Sequence, residues 1–477
     1  MNTLKHYIAG KFVPPAVAGE RFPVVNPATE QVVAEILMGS ATDADLAVKA
    51  ARRAFAGYAA TPLEARIALV RKLGEVFERR YEEMVAAITT EMGAPHDLSK
   101  RSQAACGPGH IQATLEAAAQ LAWEERSGKA GNVVREPVGV CALITPWNWP
   151  INQLAAKIAP ALTAGCTVVL KPSEFSPLSA QLFAEFVHEA GFPAGVFNMV
   201  HGSGPVVGAA LSVHPDVDMV SFTGSTRAGI AVAKSAADTV KRVAQELGGK
   251  SANVVFADAD LEAAIKRGVL HCFNNSGQSC NAPTRMIVED SVYDRAVAIA
   301  QKVASEVKVG DPTQPGAHIG PVVSKLQFDR IQRLIGIGIA EGARVVVGGL
   351  GKPEGLGTGY YVRPTVFADV NNQMTIAREE IFGPVLCMLR FKTPEEAIEI
   401  ANDTPYGLAA YVQSGDLGRA RQVARQLRAG SVYLNGAGQD YESPFGGFKQ
   451  SGNGREWGKH GLTEYLELKA INGFYAA

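Results

Sequence analysis

Short β-branched runs alternate with helical patterns through most of this 477-residue chain, and that alternation constrains its fold more than any other feature. The pattern is typical of α/β units built around largely parallel sheets. Its first part predicts a set of strands with helices between them. The predicted strands are 138–145, 166–171, 195–200, 217–222 and 251–256, and the predicted helices are 151–164, 177–190, 204–212 and 225–237.

A second set of strand-like runs follows the first, which predicts two α/β lobes divided close to Glu246. A chain of this length is also too long for one ordinary core. Upstream, 42–57 and 61–90 have the periodicity of amphipathic helices, and Thr42 and Asp43 are candidate caps for the first. The strands of the second set are expected near 284–288, 343–347, 383–391, 407–412 and 430–434.

Charge and composition exclude several classes of partner. With 46 Lys and Arg against 47 Asp and Glu, nothing in the bulk electrostatics recruits nucleic acid or an anionic membrane. The start of the chain, MNTLKHYIAGKFVPP, lacks the pattern of a secretion signal, and no run reaches the roughly 18 apolar residues that span a bilayer. The six cysteines have neither paired nor metal-ligand spacing, which predicts reduced thiols. We therefore expect a cytoplasmic protein without a metal, whose partners are small molecules or copies of itself.

Cys280 ends the loop-like run NNSGQSC, a Gly/Ser/Asn-rich setting that is better suited to presenting a thiol than to burying one. Glu246 begins ELGGK, whose glycines allow close approach to a ligand. Together the two residues suggest a thiol nucleophile with a carboxylate base. A lone cysteine is also often a small hydrophobe and a lone glutamate a solvated charge, so these residues alone leave both interpretations open.

Connections that follow strands of the first set carry residues suited to a nucleotide. Lys171 and Glu174 are expected side by side at the carboxyl edge of the sheet, where they could bind ribose hydroxyls and disfavour an added phosphate. One glycine-rich run resembles a dinucleotide loop loosely, because its last spacing is one residue too long. Each connection also fits an ordinary turn. The four are TPWNWP (145–150), KPSE (171–174), HGSGPVVG (201–208) and FTGS (222–225).

Seven motifs in one order closely resemble the aldehyde dehydrogenase superfamily, specifically its non-acylating, NAD(P)-dependent branch. They are TPWNWP, KPSE, FTGS, ELGGK, NNSGQSC, EEIFGP (379–384) and SPFGG (443–447), and the resemblance runs from about residue 5 to the C-terminus. It implies an α/β fold with a Rossmann-like cofactor lobe, an α/β catalytic lobe and a small β oligomerisation arm. The implied segments are 1–117 and 138–247 for NAD(P) binding, 248–448 for catalysis, and 118–137 and 449–477 for the arm and tail.

The resemblance also implies a reaction. The Cys280 thiolate attacks an aldehyde, and Asn148 with the Cys280 backbone N–H stabilises the oxyanion of the thiohemiacetal. Loss of hydride leaves a thioester, and Glu246 activates the water that releases a carboxylic acid. Lys157 and Glu456 match a supporting lysine and a second acid proposed to relay protons. An ordinary surface charge and a structural ion pair are the alternatives for these two.

NAD is the implied cofactor, with NADP as an alternative, because Glu174 favours an unphosphorylated ribose. Lys171 and Glu174 match residues that hold the adenosine ribose, and Glu380 matches one that hydrogen-bonds the nicotinamide ribose. The implied cofactor-binding residues are Ile144, Thr145, Pro146, Trp147, Lys171, Ser173, Glu174, Gly204, Gly208, Phe222, Thr223, Gly224, Ser225, Leu247, Gly248, Glu380 and Phe382.

The implied substrate tunnel combines an aromatic wall with polar groups. Trp149 and Phe445 supply the wall and Asn281 and Gln439 the polarity, which predicts a medium-sized aldehyde, aromatic or a semialdehyde. No arginine or lysine of the set anchors a distal carboxylate. The implied tunnel residues are Trp149, Asn152, Gln153, Ser279, Asn281, Gln439 and Phe445.

The strand-like tail 461–474 and the arm 118–137 match elements that pair with a partner subunit in the family, which implies a homodimer or homotetramer. An extra strand on the chain's own sheet is the alternative. Two other functions compete with the dehydrogenase: a hydrolase or acyltransferase that uses Cys280 without redox chemistry, and a binding protein on an inactivated fold. The dinucleotide motifs argue against the first, and retention of Cys280 with Glu246 and Asn148 argues against the second.

Overall fold

Two large sheets organise the computed structural model, which describes residues 2–17 and 19–475. Met1 and residues 476–477, at the ends of two predicted segments, lie outside the described residues. Helices cover both large sheets, which confirms the predicted α/β fold. The strands are β1 (Asn2–Leu4), β2 (His6–Ile8), β3 (Lys11–Val13), β4 (Arg21–Val25), β5 (Val32–Leu37), β6 (Glu124–Ser127), β7 (Gly131–Pro137), β8 (Val140–Ile144), β9 (Thr167–Lys171), β10 (Phe197–Met199), β11 (Met219–Thr223), β12 (Arg242–Glu246), β13 (Ala252–Val255), β14 (Arg285–Glu289), β15 (Arg344–Val347), β16 (Thr365–Ala368), β17 (Val385–Phe391), β18 (Ala409–Gln413), β19 (Ser431–Leu434), β20 (Gly452–Asn453) and β21 (Leu466–Ile471).

The helices range from single turns to five turns. Within the described ranges, no helix is long and apolar enough to cross a membrane. There are two π-helical turns in the described chain: Ser99–Gln103 lies between α4 and α5, and Gly204–Gly208 leads directly into α8. The α-helices are α1 (Ala41–Ala59), α2 (Leu63–Arg79), α3 (Tyr81–Met92), α4 (His96–Leu98), α5 (Cys106–Gln120), α6 (Pro150–Ala164), α7 (Pro177–Ala190), α8 (Ala209–Val213), α9 (Thr226–Ala236), α10 (Leu261–Phe273), α11 (Tyr293–Glu306), α12 (Lys325–Ala340), α13 (Thr375–Arg378), α14 (Pro394–Asn402), α15 (Leu417–Gln426) and α16 (Gly458–Glu464).

The first large sheet has eight strands in the order β20-β12-β11-β8-β9-β10-β2-β3, and its five strands from β12 to β10 are parallel. Successive residues of β8 enter different cores: Leu143 packs with the helices on one face, and Ala142 packs with Val48 of α1 on the other. Burial on both faces explains why these strands read as continuous apolar runs rather than alternating ones.

The second large sheet has seven strands in the order β15-β16-β17-β14-β13-β18-β19, parallel except at β15. The grouping of 251–256 with the first set of strands was wrong, because β13 pairs with β14 and β18 in this second sheet. Local sequence gives a strand's period but not its pairing partners. The chain passes from one sheet to the other between Glu246, which ends β12, and Ala252.

Two local predictions near the start of the chain need correction. The range 61–90 forms two helices, α2 and α3, because the backbone leaves helical geometry at Arg80 (φ -108, ψ 23). The cap of α1 is Ser40 rather than Thr42 or Asp43. Asp43 completes a capping box, since the Ser40 N–H donates to its carboxylate at 2.8 Å.

The arm and the tail form one small antiparallel sheet in the order β21-β7-β6. Helix α5 continues to Gln120, so the hairpin within the predicted segment 118–137 consists of β6 and β7. Likewise 461–464 belongs to α16 rather than to a strand. Strand β21 pairs with β7 from Leu466 opposite Pro137 to Ile471 opposite Asn132. The tail therefore forms a strand on a sheet of its own chain, which was one of the two alternatives that the sequence left open.

Candidate active site

Two cavities meet at Cys280. The edge cavity, of about 180 Å³, is bounded by Trp147, Thr223 and Glu380 where strands of the first sheet end. The aromatic cavity, of about 200 Å³, is bounded by Trp149 on the opposite side of the cysteine. Cys280 and Gln153 are the two residues that line both cavities. A group bound in either cavity can therefore contact the same sulfur atom.

The loop that carries Cys280 is buried and tightly fixed, although its composition is that of an exposed loop. Asn275 and Ser276 adopt left-handed backbone conformations, with φ of 54° and 55°. The Asn275 amide donates to the Asn148 carbonyl at 2.9 Å and accepts from Gln103 at 2.9 Å. These hydrogen bonds offset the free-energy cost of the left-handed backbone conformations and fix the thiol at the junction of the two cavities.

The Cys280 thiol lies in an apolar setting, against Ala156, Leu408, Phe445 and Trp457. Burial raises its pKa well above the ordinary value, and the nearby carboxylates of Glu380 and Glu246 raise it further. The resting form at neutral pH is therefore the thiol, and a base or a cation has to favour the nucleophilic thiolate.

Asn148 lies beside the cysteine and is almost fully buried, with 3% of its surface exposed. Its amide donates one N–H to the Gln278 carbonyl at 3.0 Å, two residues before Cys280. A primary amide has two N–H donors, so the second is available to a ligand in the edge cavity, which Asn148 lines. This arrangement suits an oxyanion that forms next to the sulfur.

Glu246 ends β12 and has no hydrogen-bond partner for either carboxylate oxygen among the described residues. Burial raises its pKa well above the ordinary value, and Glu456 raises it further, while Lys157 and Arg455 lower it. Its Oε1 lies against the backbone of Gly446, where an added Cβ would come within 2.7 Å of it. A carboxylate that no permanent salt bridge holds, and whose pKa is raised by burial, is a stronger base than an ordinary glutamate and is suited to general base work.

Lys157 and Glu456 form a buried ion pair close to Glu246. Lys157 is completely buried and also donates to the Ser221 hydroxyl at 3.2 Å. The alternative of an ordinary helix-surface charge is therefore wrong for Lys157. Glu456 is in an ion pair, which leaves both a structural role and a role in supporting Glu246 compatible with the geometry.

The glycines of ELGGK allow three segments to meet at the site. The Gly249 N–H donates to the Glu380 carboxylate at 3.0 Å. A Cβ on Gly248 would overlap the Glu380 carboxylate, and a Cβ on Gly249 would overlap the Cys280 carbonyl oxygen. These close approaches explain the residue type at both positions.

The edge cavity contains about half of the predicted cofactor-binding residues. Trp147 and Phe382 meet edge to face, with ring centres 5.5 Å apart. The Thr223 hydroxyl is buried and has no hydrogen-bond partner in the described chain, so it is free for a ligand. The predicted residues that line the cavity are Pro146, Trp147, Thr223, Gly224, Ser225, Leu247, Gly248, Glu380 and Phe382.

The other predicted cofactor residues do not line this cavity but lie on neighbouring strand ends and turns. Lys171 donates to Glu174 at 3.0 Å, which is the predicted juxtaposition. An added Cβ on Gly204 would meet open space, so a ligand can approach its backbone closely. Ser225, which does line the edge cavity, caps α9 by accepting from the Ala228 N–H at 3.3 Å. The predicted residues outside the cavity are Ile144, Thr145, Lys171, Ser173, Glu174, Gly204, Gly208 and Phe222.

Gln327 and Arg330 also line the edge cavity, and the sequence did not single them out. The Arg330 guanidinium donates to the Glu380 carbonyl at 2.7 Å, and the Gln327 amide donates to the Phe382 carbonyl at 2.8 Å. Both residues hold the EEIFGP loop in place. They lie three residues apart on one face of α12, which is an ordinary helical pattern with no motif of its own.

All seven predicted tunnel residues line the aromatic cavity: Trp149, Asn152, Gln153, Ser279, Asn281, Gln439 and Phe445. Tyr441 and Trp457 line it as well and were missed. Trp457 stacks on Phe445 with ring centres 4.6 Å apart. The Asn152 carbonyl is paired with His110 at 2.7 Å, which leaves the Asn152 amide N–H groups free to donate into the cavity.

Comparison with known proteins identifies relatives over nearly the whole chain. The family model described as the aldehyde dehydrogenase family matches residues 13–471. A Pseudomonas 3-succinoylsemialdehyde-pyridine dehydrogenase is 55% identical over 98% of both chains. Aldehyde dehydrogenase C from Pseudomonas syringae, solved as a cysteine-to-alanine variant with NAD+ and octanal, is 52% identical, with a TM-score of 0.98 over 99% of this chain and 97% of its own. The indole-3-acetaldehyde dehydrogenase of P. syringae, solved with NAD+, is 42% identical, with a TM-score of 0.95 over 98% of this chain and 96% of its own.

Proposed function

The chain belongs to the aldehyde dehydrogenase family, and from that premise we propose that it oxidises an aldehyde to a carboxylic acid with NAD, through a covalent intermediate on Cys280. The observation that carries this proposal is the position of Cys280 between the edge cavity and the aromatic cavity. NAD in the first and the aldehyde in the second would both reach the sulfur. A hydrolase or acyltransferase would have no use for the edge cavity.

In the first step the Cys280 sulfur adds to the aldehyde carbon, and the carbonyl oxygen becomes an oxyanion. Asn148 donates its second amide N–H to that oxyanion, together with the backbone N–H of Cys280. Losing one such donor typically costs about 100- to 1,000-fold in rate. The thiol loses its proton to water before this addition, because the thiolate is the nucleophilic form.

NAD, when bound, supplies the acceptor for the hydride that leaves the tetrahedral adduct. Lys171 and Glu174 would hold the adenosine ribose, with Glu174 disfavouring a phosphate by like charge. The Glu380 carboxylate would hydrogen-bond the second ribose, and Trp147 and Phe382 would flank it. The open backbone at Gly204 and the unpaired Thr223 hydroxyl fit a ligand of this size.

Oxidation leaves a thioester on Cys280, which water converts to the acid and the free thiol. Glu246 accepts a proton from that water as it attacks, and the buried pair of Lys157 and Glu456 biases the charge on Glu246. The Lys157 ammonium lowers the pKa of Glu246 and the Glu456 carboxylate raises it. The two charges of the ion pair therefore act in opposite directions on a pKa that burial raises.

The substrate we propose is a medium-sized aromatic aldehyde or semialdehyde. The aromatic cavity presents the stacked rings of Phe445 and Trp457 on one side and the donors of Asn152 and Ser279 on another. Relatives named for a pyridine semialdehyde and for indole-3-acetaldehyde support this class. The octanal complex of another relative shows that a long aliphatic aldehyde is the competitor to test.

The test is aldehyde-dependent NADH formation across a panel of aromatic, aliphatic and carboxylated aldehydes with both cofactors. We expect the highest kcat/KM for ring-bearing aldehydes, and a preference for NAD over NADP of at least about tenfold because of Glu174. Absence of NADH with every aldehyde would contradict the proposed reaction. Highest kcat/KM for an aliphatic aldehyde, whether short or as long as octanal, would contradict the substrate class alone.

We also propose that 1–117 with 138–247 forms the cofactor domain, 248–448 the catalytic domain, and 118–137 with 449–477 an arm that joins copies into a homodimer or homotetramer. Strand β21 is an edge strand of its sheet, and Leu468 on it is 66% exposed. Light scattering should give a mass of two or four chains, and a monomer at micromolar concentration would contradict the assembly. The need for a reduced Cys280 supports a cytoplasmic location, which cell fractionation tests.

A further inference from the structure

A third cavity, which we call the outer chamber, adjoins the aromatic cavity and is about 450 Å³ in volume. His271, Asn281 and Gln439 line both spaces, so the two are neighbours through a shared wall. Asn281 and Gln439 are predicted tunnel residues, and the other residues that line the outer chamber have no predicted role. It lies between α10 and the face of the second sheet formed by β13, β18 and β19.

Arg267 of α10 is the single charged residue among those that line the outer chamber. Its guanidinium donates to the Gln413 side-chain carbonyl at 3.0 Å and makes no ion pair with the described residues. The Gln413 amide in turn donates to Asn253 at 3.1 Å, which fixes its carbonyl toward the arginine. A guanidinium has five N–H donors, so most of them are free for an acceptor.

Aromatic rings lie beside this cation. Tyr411 and Tyr433 are stacked at 5.1 Å with an angle of 18° between their planes, and His271 meets Tyr411 edge to face at 5.1 Å. The Tyr411 hydroxyl donates to the Asn281 carbonyl at 2.9 Å, one residue after the nucleophile. The outer chamber thus has aromatic rings on which a flat group can stack, and a guanidinium without an ion pair among the described residues. Asn281, which follows the reactive cysteine in the chain, links the chamber to that cysteine.

We propose that the outer chamber is a subsite for the far end of the substrate. It selects aldehydes that end in a flat group bearing a negatively charged or hydrogen-bond-accepting atom. The ring lies against Tyr411 and His271, and the acceptor binds Arg267. This inference rests on the proposed aldehyde oxidation and adds the residue that recognises the distal end, for which the tunnel residues offer no cation.

The test compares 4-carboxyphenyl-terminated alkanals with phenyl-terminated alkanals of equal length, over a series of linker lengths. For the wild type we expect the carboxylated aldehyde to have the higher kcat/KM at the best length. Arg267→Met should lower that kcat/KM about tenfold through KM, the usual size for one charge-assisted hydrogen bond in a partly solvated site. Hexanal, which is too short to carry such a group, should be unaffected.

Arg295→Met is the matched control, because Arg295 is an exposed arginine on α11 that lines none of the three cavities. Arg267→Lys keeps the charge and should retain part of the preference. Raising the salt concentration should reduce the wild type's preference for the carboxylated aldehyde over the phenyl-terminated one, because salt screens the charge of Arg267. The ratio of kcat/KM for the two aldehydes in Arg267→Met should not change with salt. If Arg267→Met had the same ratio of kcat/KM for the carboxylated and the phenyl-terminated aldehyde as the wild type, the proposal would be overturned. An equally large loss of kcat/KM with hexanal would overturn it as well.

Calorimetric binding of 4-carboxyphenylpropanoate separates this proposal from the proposed reaction, because it needs no turnover. Weaker binding to Arg267→Met than to the wild type supports the subsite even if no aldehyde is oxidised. Equal affinity for both proteins overturns it, whether or not aldehydes are oxidised.

Discussion

Alanine at position 280 is expected to lower aldehyde-dependent NADH formation by about 10⁴- to 10⁶-fold, the usual cost of removing a catalytic nucleophile. The variant lacks the thiol that adds to the aldehyde carbon. Because the change removes a single sulfur atom from a partly exposed side chain, NAD affinity should stay within about twofold of the wild type, since an average point substitution shifts free energies by only modest amounts. Steady-state NADH formation and NAD titration measure the two quantities separately.

Cys272→Ala is the matched control for that substitution. Cys272 is a buried thiol on α10 whose sulfur contacts the Val385 carbonyl at 3.6 Å and lines neither cavity at Cys280. This variant should keep most of the turnover. Turnover within tenfold of the wild type in Cys280→Ala would remove Cys280 from the mechanism.

Glu246→Gln is expected to separate the two halves of the reaction. Hydride transfer precedes the need for activated water, so one equivalent of NADH per active site should still form as a burst. Steady turnover should then fall about 100- to 10,000-fold, the usual contribution of a general base. Stopped-flow measurement of NADH, with quantitation of the thioester after acid quench, tests both parts.

Glu380→Gln gives the contrast, because this second buried carboxylate contacts the Gly249 N–H on the edge-cavity side. Loss of the Glu380 carboxylate should slow the burst of NADH itself, because Glu380 is proposed to position the cofactor and not to assist hydrolysis of the thioester. If Glu246→Gln reduced the burst and the steady rate equally, Glu246 would act before hydride transfer, for example as the base that deprotonates Cys280. Such a result would move its role to the first step.

Central strands such as β8, β9 and β11 were predictable because they are buried on both faces and carry continuous apolar runs, and the helices between them because their apolar residues recur at helical spacing. The predicted helix 177–190 coincides with α7, which begins at Pro177 and ends before Gly191. The assignment of β13 failed because its local pattern is that of any buried strand. Strand β12 was missed since Arg242 and Gln245 interrupt its apolar pattern, although its end positions Glu246.

The candidate site was predictable where residues stand in contiguous motifs, and unpredictable where they come from separate elements. All seven predicted tunnel residues line the aromatic cavity. They could be predicted because they match positions that line the tunnel in the family. Trp457, Gln327 and Arg330 were missed because only the tertiary packing brings them to the cavities. The burial of the NNSGQ loop was also unforeseen, since its polar side chains are satisfied by distant partners such as Gln103.

Residues near the end of the chain complete the centre of the molecule, and this sets the order in which the site can form. Strand β20 pairs with β12 at Gln245 and Glu246, Glu456 neutralises Lys157, and Phe445 packs beside the cysteine. Domains generally fold as units with the N-terminal part first during synthesis. A nascent chain that stops before residue 445 therefore holds Lys157 without its counter-charge, and the site is complete only after residues 445–456 have been synthesised and docked.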